Sequence, residues 1–372
     1  MFTLYMLQNY WWFLVSLLGG LLVFMMFVQG GQTLLYGLGK TEDERDLIIN
    51  SLGRKWELGF TTLVMFGGAI FAAFPLFYAV SFGGAYFVWM AILFCFIIQA
   101  VSYEYRKKPN NLFGERFYEW LLFLNGSLGI FLLGVAIGTL YSGGNFKVDE
   151  MNLSHWTTST YGLEALLNPF NILFGVVLVL LSRIQGLLYF YNNLDNQNIS
   201  NRILVFLKRE FLIFLPLFLA LVTMISINNG YGYDNSGHIL VIPMKILQNL
   251  LDYPLLLALL VIGIVGFLIG IYIAIFKNSS KAIWFTGVGT VIIITILLML
   301  LGINHTVFYP SLSDLQSSLT IENSSGSYYT LSVMSVVSLL VPIVLGYIIM
   351  IWYSMDKTKL TIDEVKSDSH HY

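Results

Sequence analysis

Apolar runs of about 20 residues recur along the whole chain, divided by short polar or charged segments. A run of that length crosses a hydrocarbon core of ~30 Å as an α-helix. The pattern predicts nine spans, at Asn9–Gly30, Gly59–Val80, Tyr86–Tyr105, Trp120–Tyr141, Asn168–Tyr191, Ile203–Ile227, Tyr253–Phe276, Ala282–Ile303 and Leu331–Tyr353. The expected fold is all-α and polytopic. It is one integral membrane domain over residues 1–372, with two four-helix bundles, one peripheral helix and a polar, frayed cytoplasmic tail over 356–372. The first run has no basic region before it and no small-residue cleavage site after it. It reads as a retained helix, not a signal peptide.

Basic residues orient the spans. Lys40, Arg45, Arg54, Lys55, Arg106, Lys107, Lys108, Arg116, Arg202, Lys208, Arg209, Lys277, Lys281, Lys357, Lys359 and Lys366 all fall on one side. Only Lys147 and Lys245 fall on the other, and Arg183 lies inside the fifth span. The positive-inside rule then puts the N-terminus outside, and the odd loops and C-terminus in the cytoplasm. The expected location is a bacterial cytoplasmic membrane. Tyr10, Trp11, Trp12, Trp352 and Tyr353 read as interfacial aromatics. Gly134-x-x-x-Gly138 and Gly266-x-x-x-Gly270 would permit close helix approach.

Composition agrees. The 372 residues are 57% hydrophobic and 11% charged, where a soluble domain carries roughly 25% charged residues. A net charge of −2 offers no nucleic-acid surface. The single cysteine, Cys95, excludes an internal disulfide.

Candidate chemistry is sparse. Haem ligation in a bundle needs His, Met or Cys facing its interior. His155, His238 and His305 lie in loops or at a span end, and His370 and His371 lie in the tail. The methionines are scattered among leucines and read as packing. The chain therefore predicts no haem of its own, no metal site and no phosphate loop.

Polar residues inside spans are costly and so face partners or cavities. They concentrate near the basic side: Gln29 and Gln32 in span one, Glu57 opening span two, Gln99, Ser102 and Glu104 in span three, and Arg183 and Gln185 in span five. Asn125 is the main polar residue deeper in span four. A polar set confined to one side reads as a half-channel, whose natural cargo is the proton. Glu57, beside buried amides, is either a proton carrier with a pKa raised by desolvation or a helix-end cap. Gln29 and Gln99 read as structural. Glu104 reads as part of a solvated helix end with Tyr105, Arg106 and Lys107. Arg183 either snorkels or pairs with a carboxylate or a partner subunit.

Several blocks together resemble subunit II of cytochrome bd-type quinol oxidases. They are Glu42-Asp43-Glu44-Arg45, Ile49-Asn50-Ser51, Trp56-Glu57, the Gly67–Pro75 run with Tyr78, Tyr103-Glu104-Tyr105-Arg106, Leu167-Asn168-Pro169-Phe170, Gln185-Gly186 and Leu339–Ile343. The resemblance covers nearly the whole chain. It implies a haem-free second subunit, needed for assembly and for proton and oxygen access. The partner it implies is a subunit I that carries haems b and d. It also implies contact with quinone, membrane lipid and a small accessory subunit. Three departures stand out. Gln29 occupies the place of a family Asp and Gln99 that of a family Arg, so a buried ion pair has become an amide pair and both charges are lost together. Glu57 stands for a family Asp. Thr62 lies near a family Trp implicated in oxygen entry. A transporter or channel subunit is the competing class, but the polar residues do not cross the membrane and no pair of broken helices matches.

Overall fold

A computed structural model describes residues 3–367; His370 and His371 lie outside them. Among the described residues nine helices are long and apolar enough to span a membrane. They are Leu4–Gln32, Glu42–Ala73, Tyr86–Tyr105, Glu115–Ser142, Pro169–Asn193, Gln197–Ile227, Pro254–Lys277, Ala282–Gly302 and Tyr328–Asp356. The second divides at Arg54-Lys55 into a helix at Glu42–Gly53 and the spanning helix Trp56–Ala73. Pro75 lacks an N–H and stops that span early. The expected span, Gly59–Val80, had merged into it the following Pro75–Tyr78 turn and the start of the π-helical turn Ala79–Gly84.

Spans one to four form one bundle and five to eight another. The bundles meet where span one packs on five and eight, and span four packs on five. Here backbones touch almost directly. A Cβ on Gly30 would lie 2.1 Å from the Ser182 carbonyl. Both predicted glycine pairs also mark contacts, Gly134 and Gly138 against Gly175 and Asn171, and Gly266 and Gly270 against span eight. Lipid supplies no hydrophobic drive between helices, so this close packing carries the association. Span nine lies apart against span one. Tyr10 bonds Ser338 (2.7 Å), and the Trp11 indole donates to Ser335 (3.0 Å). Trp11, Trp12 and Trp352 are buried packing residues, not the lipid-interface anchors their position suggested.

Two ends differ. At one, three antiparallel hairpins form a cap: Phe146–Val148 with Ser154–Trp156, Gly230–Tyr233 with Ile239–Ile242, and Val307–Tyr309 with Leu319–Thr320. Bridges at Gly144–Ser311 and Gly232–Thr306 tie them together. Glu164 is anchored there. Burial would raise its pKa, but hydrogen bonds from Thr158, Thr160 and Asn145 outweigh that and hold it below the usual carboxylate value.

The basic end is built around Glu42–Gly53. Thr41 and Glu44 cap this helix reciprocally, and acidic residues fill its first turn. The Arg106 side chain is fully buried, contrary to the solvated helix end expected of it. It bonds Asp46 and Glu119 (2.8 Å), and Glu119 also accepts the Tyr36 hydroxyl (2.6 Å). Burial works against the guanidinium charge, yet these carboxylates raise its pKa above the ordinary value. Arg202 grips Glu44 (2.7 and 2.9 Å). The tail packs instead of fraying as far as it is described: Leu360 is buried, Lys55 pairs with Asp356 (2.8 Å), Arg54 with Glu364 (2.8 Å) and Lys366 with Asp43 (2.7 Å).

Two outcomes are expected. Gly30→Ala drives a methyl into the span-five backbone and should remove assembled complex from membranes, read by blue-native electrophoresis. Arg106→Met leaves buried Glu119 with Tyr36 and the more distant Arg45, and Asp46 with Lys107, and should cost about 3 kcal/mol, read as a lower thermal midpoint of the purified complex.

Candidate polar site

Gln29, Gln32, Gln99, Tyr103 and Asn125 converge between spans one, three and four, all buried. Gln29 and Gln32 share a face because they sit three residues apart on one helix. Gln99 and Tyr103 do so at a spacing of four. A π-helical turn at Asn125–Gly129 places Asn125 on the helix face directed at them. Three amide N–H groups point at the Gln99 oxygen, from Gln29 (2.8 Å), Gln32 (2.9 Å) and Asn125 (2.5 Å). The remaining links are Gln32 to the Tyr103 hydroxyl (3.1 Å) and Asn125 to the Gln32 oxygen (2.9 Å). A carbonyl oxygen has two lone pairs, so three donors over-subscribe it. The Gln29 and Asn125 oxygens and the Gln99 nitrogen meanwhile lack partners. Concerted rotation of the amides exchanges donor for acceptor at each contact, so this geometry supports two hydrogen-bond polarities. Its amides do not titrate, and it holds no carboxylate.

Glu57 is not part of this cluster. Its helix meets the cluster through Trp56, whose ring stacks on Tyr103 (centroids 5.7 Å, 14°), and through Gly59, whose Cβ position lies 3.9 Å from the Gln29 nitrogen. Glu57 is exposed on the outer surface of span two and forms no hydrogen bond or ion pair among the described residues. Sequence proximity had suggested a carboxylate beside the amides; the helix turns it away. Glu104 is exposed as well.

Arg183 is held by Glu210 through two bonds (2.7 and 3.2 Å) and donates to Thr33 (2.8 Å), tying spans five and six to span one. Glu210 escaped the sequence reading. The available signal was an acidic residue inside an apolar helix next in order to the one carrying Arg183. Gln185 bonds Thr286 and Thr290 of span eight. Thr62 bonds its own helix at Leu58 (2.7 Å). His155, His238 and His305 sit at the capped end. Among the described residues, no three His, Cys, Asp or Glu side chains group as metal ligands.

Comparison with known proteins matches residues 7–355 to the family described as cytochrome bd terminal oxidase subunit II. The chain is 29% identical to cytochrome bd-I ubiquinol oxidase subunit 2 of Escherichia coli K12, covering 98% of each. It is 28% identical to cytochrome bd ubiquinol oxidase subunit 2 of Bacillus subtilis, covering 94% of this chain and 96% of that one. A chain in the solved bd oxidase from Geobacillus thermodenitrificans shares the fold with a TM-score of 0.62 at 17% identity, over 93% of this chain and 98% of that one.

Three converging donors make position 99 a seat for negative charge. Gln99→Glu is expected to assemble and keep near-normal thermal stability. Gln99→Leu strands the donors and should cost on the order of 3 kcal/mol, read by the same thermal unfolding.

Proposed function

The chain belongs to the cytochrome bd terminal oxidase subunit II family, and from that premise we propose that it delivers protons to its partner through Glu57, along the surface of span two. As the second subunit of a bd-type quinol oxidase it is part of an oxidoreductase, works with a subunit I, and is a multi-pass protein of the bacterial cytoplasmic membrane. The basic end is taken as cytoplasmic, which puts Glu57 at the proton-supplying face. The haems b and d are assigned to subunit I, and this chain binds none.

One observation carries the reading. Glu57 opens a membrane helix with its carboxylate pointing out of the chain and unpaired within it. A carboxylate in that position needs a polar counterpart outside the chain, which the neighbouring subunit supplies. The interior amide cluster, by contrast, is neutral and tightly bonded. Its role is to hold spans one, three and four together, so the proton route passes beside the bundle and not through it. Oxygen access rests on a second feature. An apolar cavity of about 60 Å³ among spans one, two, four, five and eight shares Phe82 and Trp89 with a groove on the face of spans two and three. A small apolar gas dissolves in such a path.

Glu57→Gln should lower quinol oxidation by the purified complex several-fold while leaving assembly and haem content intact, and Glu57→Asp should retain most activity. Unchanged turnover in Glu57→Gln sinks the proton route. The chain purified alone should show no b- or d-type absorption bands; their presence would contradict the haem assignment.

A further inference from the structure

We propose that the cleft between spans six and seven is a binding seat for one anionic phospholipid, with an acyl chain in the cleft and the phosphate on Lys208. A cavity of about 220 Å³ opens there, lined by Leu181, Phe214, Phe218, Ile264, Phe267 and Ile293 among others, with apolar side chains throughout except for Thr290. The exposed Leu219 and Leu268 stand at its rim, so it communicates with the surrounding membrane. Along span six the lining residues Phe211, Leu215, Phe218 and Val222 recur at spacings of four and three. Lys208 extends that series by one turn toward the basic end, which places it at the mouth of the cleft.

Depth selects the ligand. Span six has 31 residues, a rise of about 46 Å, against a hydrocarbon core of ~30 Å. Its far end, Ile227, runs directly into the cap. About 16 Å, or roughly eleven residues, therefore project past the core at the basic end. That puts Lys208 at the hydrocarbon boundary, the depth of phospholipid phosphates and glycerol esters. The cavity lies below it at acyl depth.

Charge completes the argument. Lys208 is exposed and forms no ion pair among the described residues. Its neighbour Arg209 is already engaged, with Glu210 (3.0 Å) and over the Phe206 ring (4.5 Å). A cation at the boundary attracts an anion there. An apolar cleft beneath it rewards an occupant that joins the anion to a hydrocarbon chain, which free phosphate cannot do. Lys277 ends span seven on the same side and adds to the positive field.

The test uses the purified, delipidated two-subunit complex titrated with spin-labelled phosphatidylglycerol or phosphatidylcholine. The readout is the motionally restricted fraction. The native complex should hold one tightly restricted phosphatidylglycerol and prefer it over phosphatidylcholine by about fivefold, the effect of one interfacial lysine. Lys208→Gln should erase the preference. Leu215→Trp should abolish the tight site for both lipids by filling the cleft, with Ile264→Phe as a smaller plug should the first fail to assemble. Lys359→Gln on the tail should change nothing. Equal affinity for the two lipids in the native complex overturns the proposal, as does a preference that survives Lys208→Gln. So does recovery of quinone without phospholipid from the site, or cross-linking of Lys208 to an acidic segment of the partner subunit.

Discussion

Hydrocarbon offers no hydrogen bonds, so a polar side chain at membrane depth must be satisfied by the protein or face something outside it. That rule organises the interior. Gln29, Gln32, Gln99 and Asn125 bond one another across three spans, though three of their polar atoms stay unpaired, Gln185 reaches Thr286 and Thr290, and Arg183 takes both Glu210 and Thr33. Each of these contacts joins helices that apolar packing alone would leave free to slide. The close backbone approach at Gly30 sets the distance between spans, and the polar bonds set the register. Glu57 is the exception: exposed in the first turn of its helix, it takes no partner among the described residues.

The spans were legible in the sequence because their signal is local. Twenty apolar residues in a row mean the same thing wherever they occur, and span three ends at the residues expected of it. Side-chain partners were not legible in this way. The bonds from Arg106 to Asp46 and from Arg183 to Glu210 join segments 60 and 27 residues apart. Nothing within either segment announces the other. Arg106 looked solvated because it stands beside Glu104, Tyr105 and Lys107. Burial arises only when the helix at Glu42–Gly53 folds over it.

The direction of Glu57 was hidden for a related reason. Helix periodicity relates residues on one helix to each other, but which face turns inward depends on the neighbours. Span two is apolar on most sides, with Gly59, Ile70 and Ala73 its buried residues. Its pattern therefore carried little information about orientation. The resemblance supplied the family, and the geometry separated Glu57 from the amides. A cluster of non-titrating amides fills the position where a half-channel was anticipated, and the carboxylate stands on the outer surface.

The clasp at the basic end has a consequence for how the chain is made. Lys55 lies early in the sequence and is fully buried, and its counter-charge Asp356 belongs to the last span. During synthesis Lys55 emerges some three hundred residues before the group that neutralises it. Until then the ammonium lacks the carboxylate that pairs with it in the folded chain. The charge of one early residue is thus matched only by the last span.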